Sequence, residues 1–312
     1  MEELMQKVRR LQIRTRRQVS DNLSGAYLSV FKGSGVEFDE VRPYVPGDDV
    51  RSIDWNVTAR MGAPYIKRFV EERELCIMLL VDISSSQELA FRGRSKRETA
   101  SEIAALLAFS AIANNDKVGL ILFHAETEQF IPPRKGQKHA LRVVREILAH
   151  QGEDTKAADP WYRKWIRFLR KDRQQKGRET DISSALEFCY QTLSRKAVIF
   201  VVSDFLDVGY LTTLQRVHRK HDVVAVAISD RVEIRLPDLG LINLQDAETG
   251  QETMVDSSTL QKTYAQKQDE RIARLETQLQ NSGIDLISLD QDTDALSELM
   301  KFLRNREKRG GK

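Results

Sequence analysis

Asp82, Ser84 and Ser86 stand at alternate positions directly after an unbroken apolar run, residues 75–81. In a loop just past a strand end, alternate residues can turn their side chains the same way, so that one carboxylate and two hydroxyls converge on a point. Hard oxygen donors of this kind suit Mg²⁺ in octahedral geometry with several waters retained, with Mn²⁺ or Ca²⁺ as the neighbouring choices. The plain alternative is a serine-rich loop in which Asp82 caps a helix. A second apolar run, 197–202, ends in Ser203-Asp204, again a carboxylate at the end of a strand pattern, and Thr180-Asp181 opens the helical pattern before it. In an open parallel sheet, ligands sit beyond the carboxyl ends of strands where the strand order reverses. If the two runs flank that point, Asp82, Ser84, Ser86, Thr180 and Asp204 meet at one place.

Other chemistries find less support. No Gly-x-x-x-x-Gly-Lys-Ser/Thr loop exists, so the chain is not expected to hydrolyse ATP. Gly33 and Gly35 lack the third glycine of a dinucleotide fingerprint. Among the five histidines, only His218-x-x-His221 has even a weak metal spacing, and it reads as helix surface. No Ser-His-Asp or Cys-His arrangement stands out. Cys76 and Cys189 lie in apolar runs and read as buried free thiols, which suits a reducing cytoplasm.

The elements that would position these residues follow from periodicity. Runs 75–81, 118–123, 197–202, 223–228 and 284–289 have the length and β-branched content of strands buried on both faces. Helical patterns fall between and after them, at 98–114, 139–149, 182–193, 212–220, 258–281 and 293–305. Alternation of this kind predicts a doubly wound α/β domain with a mostly parallel sheet. Asp181 is placed to cap a helix with an apolar stripe of Ile182, Ala185, Leu186, Cys189 and Leu193. Helix 98–114 is apolar nearly all round and is expected to be the most buried. Gly283 supplies the left-handed residue that ends the 258–281 helix.

The five-residue constellation, in this order around alternating strands, resembles the metal-ion-dependent adhesion site of von Willebrand factor A domains. The resemblance implies the strand order 3-2-1-4-5-6. It further implies that Ser84 and Ser86 bind metal directly, that Asp82, Thr180 and Asp204 contribute directly or through water, and that an acidic side chain of a partner fills the open position. A narrower resemblance covers nearly the whole chain. Gly33-Ser34-Gly35-Val36-Glu37-Phe38 runs on into Asp39-Glu40-Val41-Arg42-Pro43-Tyr44-Val45-Pro46-Gly47-Asp48-Asp49-Val50-Arg51-Ser52-Ile53-Asp54-Trp55. Together with Thr58-Ala59-Arg60, Lys67-Arg68-Phe69-Val70-Glu71-Glu72-Arg73-Glu74, Leu236-Pro237-Asp238-Leu239-Gly240 and Asp246-Ala247-Glu248-Thr249-Gly250, this is similar to the bacterial family called "domain of unknown function 58". The family resemblance implies a MoxR-type AAA+ ATPase as partner and no particular reaction.

These readings divide the chain into an N-terminal helix with a Gly/Pro-rich strand-and-turn module (1–73), the α/β domain (74–305) and a basic tail (306–312) expected to be disordered at its glycines. Within the domain, 151–179 is a basic insertion and 241–256 a β-hairpin. In the N-terminal module, Arg42, Arg51, Asp54 and Arg60 are expected to form Arg–carboxylate bonds over packed Tyr44 and Trp55, or else a docking face. Residues 160–178 interleave basic and aromatic side chains, read first as a packed amphipathic helix and then as an anionic-partner surface. Arg92, Arg94, Lys96 and Arg97 read as a solvated loop, with attraction of an acidic ligand as the second reading. The formal charge of +3 gives no global field for nucleic acid, and no run approaches the ~20 apolar residues of a membrane span. The expected function is a cytoplasmic, metal-dependent protein-binding adaptor rather than an enzyme. The alternative is an Mg²⁺-dependent phosphoryl-transfer or hydrolytic enzyme, although Asp82-x-Ser84 lacks the second aspartate of an Asp-x-Asp loop.

Overall fold

The computed structural model describes residues 27, 30–31, 35–72, 74–84, 87, 95–125, 127–149, 180–230, 240–245, 252–290 and 292–310. Two compact units divide the chain: Phe31–Leu75, and the remainder.

In the smaller unit, β1 (Gly35–Pro43) and β2 (Tyr65–Glu72) pair antiparallel. Between them lies a two-turn helix, α1 (Trp55–Met61). Asp54 starts it by accepting from the Asn56 and Val57 N–H groups (2.9 and 3.2 Å), and Gly62 ends it at φ 71°, where a side chain would be strained. The expected Arg–carboxylate lock exists at Arg42, whose fork meets both oxygens of Asp48 (2.7 and 2.9 Å) and holds that carboxyl below its usual range. Asp54 pairs instead with Lys67 (3.3 Å). Trp55 does not pack beneath the module. As the first residue of the helix that Asp54 caps, it is 68% exposed, while Tyr44 is half-buried.

The larger unit is built on six strands: β3 (Cys76–Asp82), β4 (Lys117–Phe123), β5 (Thr127–Arg134), β6 (Val198–Ser203), β7 (Asp222–Ser229) and, past a small antiparallel hairpin of β8 (Leu241–Gln245) and β9 (Glu252–Asp256), β10 (Asp285–Asp290). Their order is β10-β7-β6-β3-β4-β5, which is 3-2-1-4-5-6 when this sheet's strands are counted along the chain. The implied order is therefore the observed one. Every pairing is parallel except β4–β5. That exception follows from chain length: the β4–β5 link is too short for the crossover a parallel pair requires. Pro132 and Pro133, which cannot donate to a ladder, keep β5 at the sheet edge. The same prolines hide this strand from a periodicity reading.

Helices cover both faces. They are α2 (Lys96–Ala113), α3 (Gln137–Ala149), α4 (Ile182–Thr192), α5 (Leu211–His218), α6 (Ser257–Asn281) and α7 (Ala295–Gly310). The expected stripe of α4, Ile182, Ala185, Leu186 and Cys189, is fully buried in one core with Met78, Leu80, Ile121, Ile199 and Val201 of the sheet. Each of the larger side chains among them, leucine, isoleucine, valine and methionine, contributes about 2 kcal/mol. Helix α2 is buried from Thr99 through Ala111, as its apolar circumference predicts. Gly283, at φ 70°, closes α6, and the Ile284 N–H returns to the Leu279 carbonyl (3.0 Å). The expected boundary at 305 is passed: α7 continues to Gly310. Arg306 of this last stretch bonds Asp222 and lies 3.4 Å from Asp285, and Arg309 bonds Asp285 at 2.8 Å. The basic end is thus held by carboxylates at the start of β7 and β10. Residues 151–179, including the basic aromatic segment, lie outside the described residues. No described helix is long and apolar enough to cross a membrane.

Candidate metal centre

Strands β3 and β6 are neighbours, so the expected adjacency at their carboxyl ends is real. Asp82, the last residue of β3, is 2% exposed, and both its oxygens are engaged. Oδ1 accepts the Ser84 N–H (2.9 Å), which folds the chain into a tight turn just past the strand, and Oδ2 accepts the Ser203 hydroxyl (2.7 Å) from the end of β6. Burial, and then the charge of Asp204, push the Asp82 carboxyl up to about 6. Two buried carboxylates therefore stand at the ends of adjacent strands.

Asp204 is itself 7% exposed. Its Oδ1 accepts the Leu206 N–H (3.3 Å) and its Oδ2 the Lys96 ammonium (3.0 Å), while its backbone carbonyl accepts from Arg271 of α6 (3.3 Å). The chain then bends sharply. Phe205 sits at φ 53°, an uncommon region for a bulky residue, held by its N–H to the Ser203 hydroxyl (3.2 Å) and its ring against Tyr210 (centroids 5.5 Å apart). The bend leaves Leu206 51% and Val208 88% exposed beside the candidate ligands.

Thr180 is half-buried at the mouth of α4. The next N–H, of Asp181, donates to the His124 carbonyl just beyond β4 (3.0 Å). The N–H of Ile182 donates to Asp207 (3.0 Å), and Asp181 caps the helix through Ser184 N (2.9 Å). These bonds tie Thr180's segment to the end of β4 on one side and to the Asp204 loop on the other. Asp82, Ser84, Thr180 and Asp204 are thus gathered at one edge of the sheet. Ser86 lies outside the described residues. Gln87, which does not, is buried, with its N–H on the Ser84 carbonyl (3.0 Å) and its side-chain nitrogen without a partner among the described residues.

Two participants escape the sequence reading. Ser203 holds Asp82 directly, and its position one residue before Asp204 at the end of β6 is the signal. Lys96 is not in a solvated loop but is the first residue of α2, with 0% exposure. The signal there is a cation in the first turn of a helix, where the macrodipole disfavours it.

Among the described residues, no three His, Cys, Asp or Glu side chains form a group able to hold a metal. The donors on hand are carboxylates and hydroxyls, which fits a hard cation that keeps part of its water shell and does not fit a thiolate or imidazole site.

The chain is similar to the uncharacterized protein Rv1480 of Mycobacterium tuberculosis, 28% identical over 96% of this chain and 89% of that one. It is also similar to the uncharacterized protein YeaD of Bacillus subtilis, 31% identical over 38% of this chain and 27% of that one. Among solved structures it is similar to the conserved hypothetical protein BatB of Bacteroides thetaiotaomicron (TM-score 0.44, 14% identity, 75% of this chain and 99% of that one). A further similar structure is the SpRpn10 VWA domain (TM-score 0.33, 10% identity, 72% and 93%). The family model "Protein of unknown function DUF58" matches residues 40–274, and the chain belongs to that family.

Proposed function

We propose that the protein is a metal-dependent protein-binding module that takes an acidic side chain of its partner at the Asp82–Asp204 edge. The DUF58 membership and the von Willebrand factor A-like fold support a protein-interaction role. One observation carries the metal: two buried carboxylates on adjacent strand ends amid hydroxyl donors. Lys96 balances only one of the two charges, and a divalent cation would neutralise the buried negative charge that remains. Asp82, Ser84, Ser86, Thr180 and Asp204 would hold Mg²⁺ or a similar divalent ion, which when bound supplies a Lewis-acidic position for a carboxylate. Ser203 and the Ser84 N–H orient Asp82, and the strained Phe205 bend presents Leu206 and Val208 as an apolar rim suited to a protein surface. The family resemblance, which covers nearly the whole chain, supports a MoxR-type AAA+ ATPase as partner, with this chain binding rather than turning over a substrate.

The test is capture of a purified MoxR-type ATPase by wild type and Asp82→Ala, each in Mg²⁺ and in EDTA. Retention by wild type in Mg²⁺ alone is the expected result. Equal capture under all four conditions would move the contact to another surface and leave the metal reading without support.

A further inference from the structure

Lys96 breaks two rules at once. It is fully buried although lysine heads almost always reach water, and it opens α2, where the helix dipole opposes a positive charge. The α2 N-terminus has its own cap, the Ser95 hydroxyl on the Glu98 N–H (3.1 Å), so Lys96 is not needed to begin the helix. Nor does Asp204 require a charge merely to be hydrogen-bonded, since a neutral donor could satisfy the same oxygen. What lysine adds is a fixed unit of positive charge 3.0 Å from one candidate metal ligand, in a place screened from solvent.

We propose that Lys96 sets the charge balance of the site so that divalent metal binds weakly alone and tightly only together with an acidic ligand. This rests on the metal reading above. The ammonium already occupies one oxygen of Asp204 and repels an incoming dication, which lowers affinity for metal by itself. Once metal is in place, the same ammonium leaves the site one unit more positive than its carboxylates would, which favours a carboxylate as the next ligand. The two effects act in opposite directions on the two binding steps. A purely structural lysine predicts no such split.

The experiment measures Mn²⁺ affinity by electron paramagnetic resonance for the full-length wild type, Lys96→Gln and Lys96→Met, with and without acetate as a monocarboxylate probe. Both variants are expected to bind Mn²⁺ roughly tenfold more tightly than wild type. Acetate is expected to tighten Mn²⁺ binding in wild type and to do so to a smaller extent in the variants. Unchanged or weaker Mn²⁺ binding in the variants overturns the proposal while leaving the metal reading intact, as does an equal acetate effect in all three proteins. Absence of Mn²⁺ binding from all three overturns both. If neither variant folds, ¹⁵N-lysine spectra of wild type decide: the Lys96 ammonium resonance must shift as Mg²⁺ is added and shift again with acetate. A resonance indifferent to bound Mg²⁺ rejects the proposal.

Discussion

Ser203 joins the site to the fold through a single hydroxyl. It donates to Asp82 Oδ2 (2.7 Å) and accepts the Phe205 N–H (3.2 Å) that holds the left-handed bend. Ser203→Ala leaves a buried carboxylate short of a donor and a strained turn short of an acceptor, so a loss of about 2 kcal/mol is expected in urea unfolding. A loss below about 0.5 kcal/mol, the range of uninvolved sites, would show that the bond does not matter. A second residue-scale effect lies away from the site. His221 is 1% exposed, has no hydrogen-bond partner for either ring nitrogen among the described residues, and meets Tyr190 edge-on (6.1 Å). Burial, then the neighbouring Lys220, lower its pKa to about 4. The folded state thus holds the imidazole neutral where the unfolded chain would protonate it. This contribution is present above the ordinary histidine value and is lost as pH falls toward 4. Stability measured from pH 7 to 4 should fall by roughly 3 kcal/mol more in wild type than in His221→Phe. Parallel pH profiles for the two proteins would contradict this.

At the element scale, β4 packs closely against both of its neighbouring strands at Gly119. Gly119 lies opposite Met78 of β3, and a Cβ there would meet Met78 Cε at 2.9 Å, the Ile131 carbonyl at 3.0 Å and Pro133 Cγ at 3.0 Å. Glycine is required by this crowding and not by its backbone angles. Because a backbone carbonyl is among the three atoms, the neighbours cannot all give way. Gly119→Ala is expected to cost about 2 kcal/mol, read as a lowered thermal midpoint, and Gly119→Val considerably more. An alanine variant as stable as wild type would mean that β5 shifts freely at the edge.

At the scale of the molecule, burial among the described side chains is concentrated in β3, β4 and β6, which are almost wholly inaccessible, and is sparse among those of the Phe31–Leu75 unit. Native-state hydrogen exchange should therefore place the amides of β3, β4 and β6 in the slowest class. Those of β1, β2 and the β8–β9 hairpin should open well below the global unfolding free energy. Equal protection of the two groups would contradict this ordering of local stability.

Sequence alone determined the α/β alternation, the runs that become β3, β4, β6, β7 and β10, the caps at Asp181 and Gly283, and the family. These are local properties: periodicity, β-branching and turn chemistry act within a few residues. Asp82 and Asp204 were legible as candidates because each follows an apolar run, and their meeting follows from the β3–β6 pairing once the sheet order is known. Tertiary structure alone decided three other matters. An edge strand that carries prolines could join as β5 because its outer side needs no partner. Trp55 could face outward because the short helix that Asp54 caps sets its position. Lys96, ordinary in a basic stretch, became a buried cation on Asp204 because α2 begins beside the end of β6, a neighbour 108 residues away in sequence. Charge pairing over that separation leaves no periodic trace in the chain, since only the packed sheet and helix bring the two groups within reach of each other.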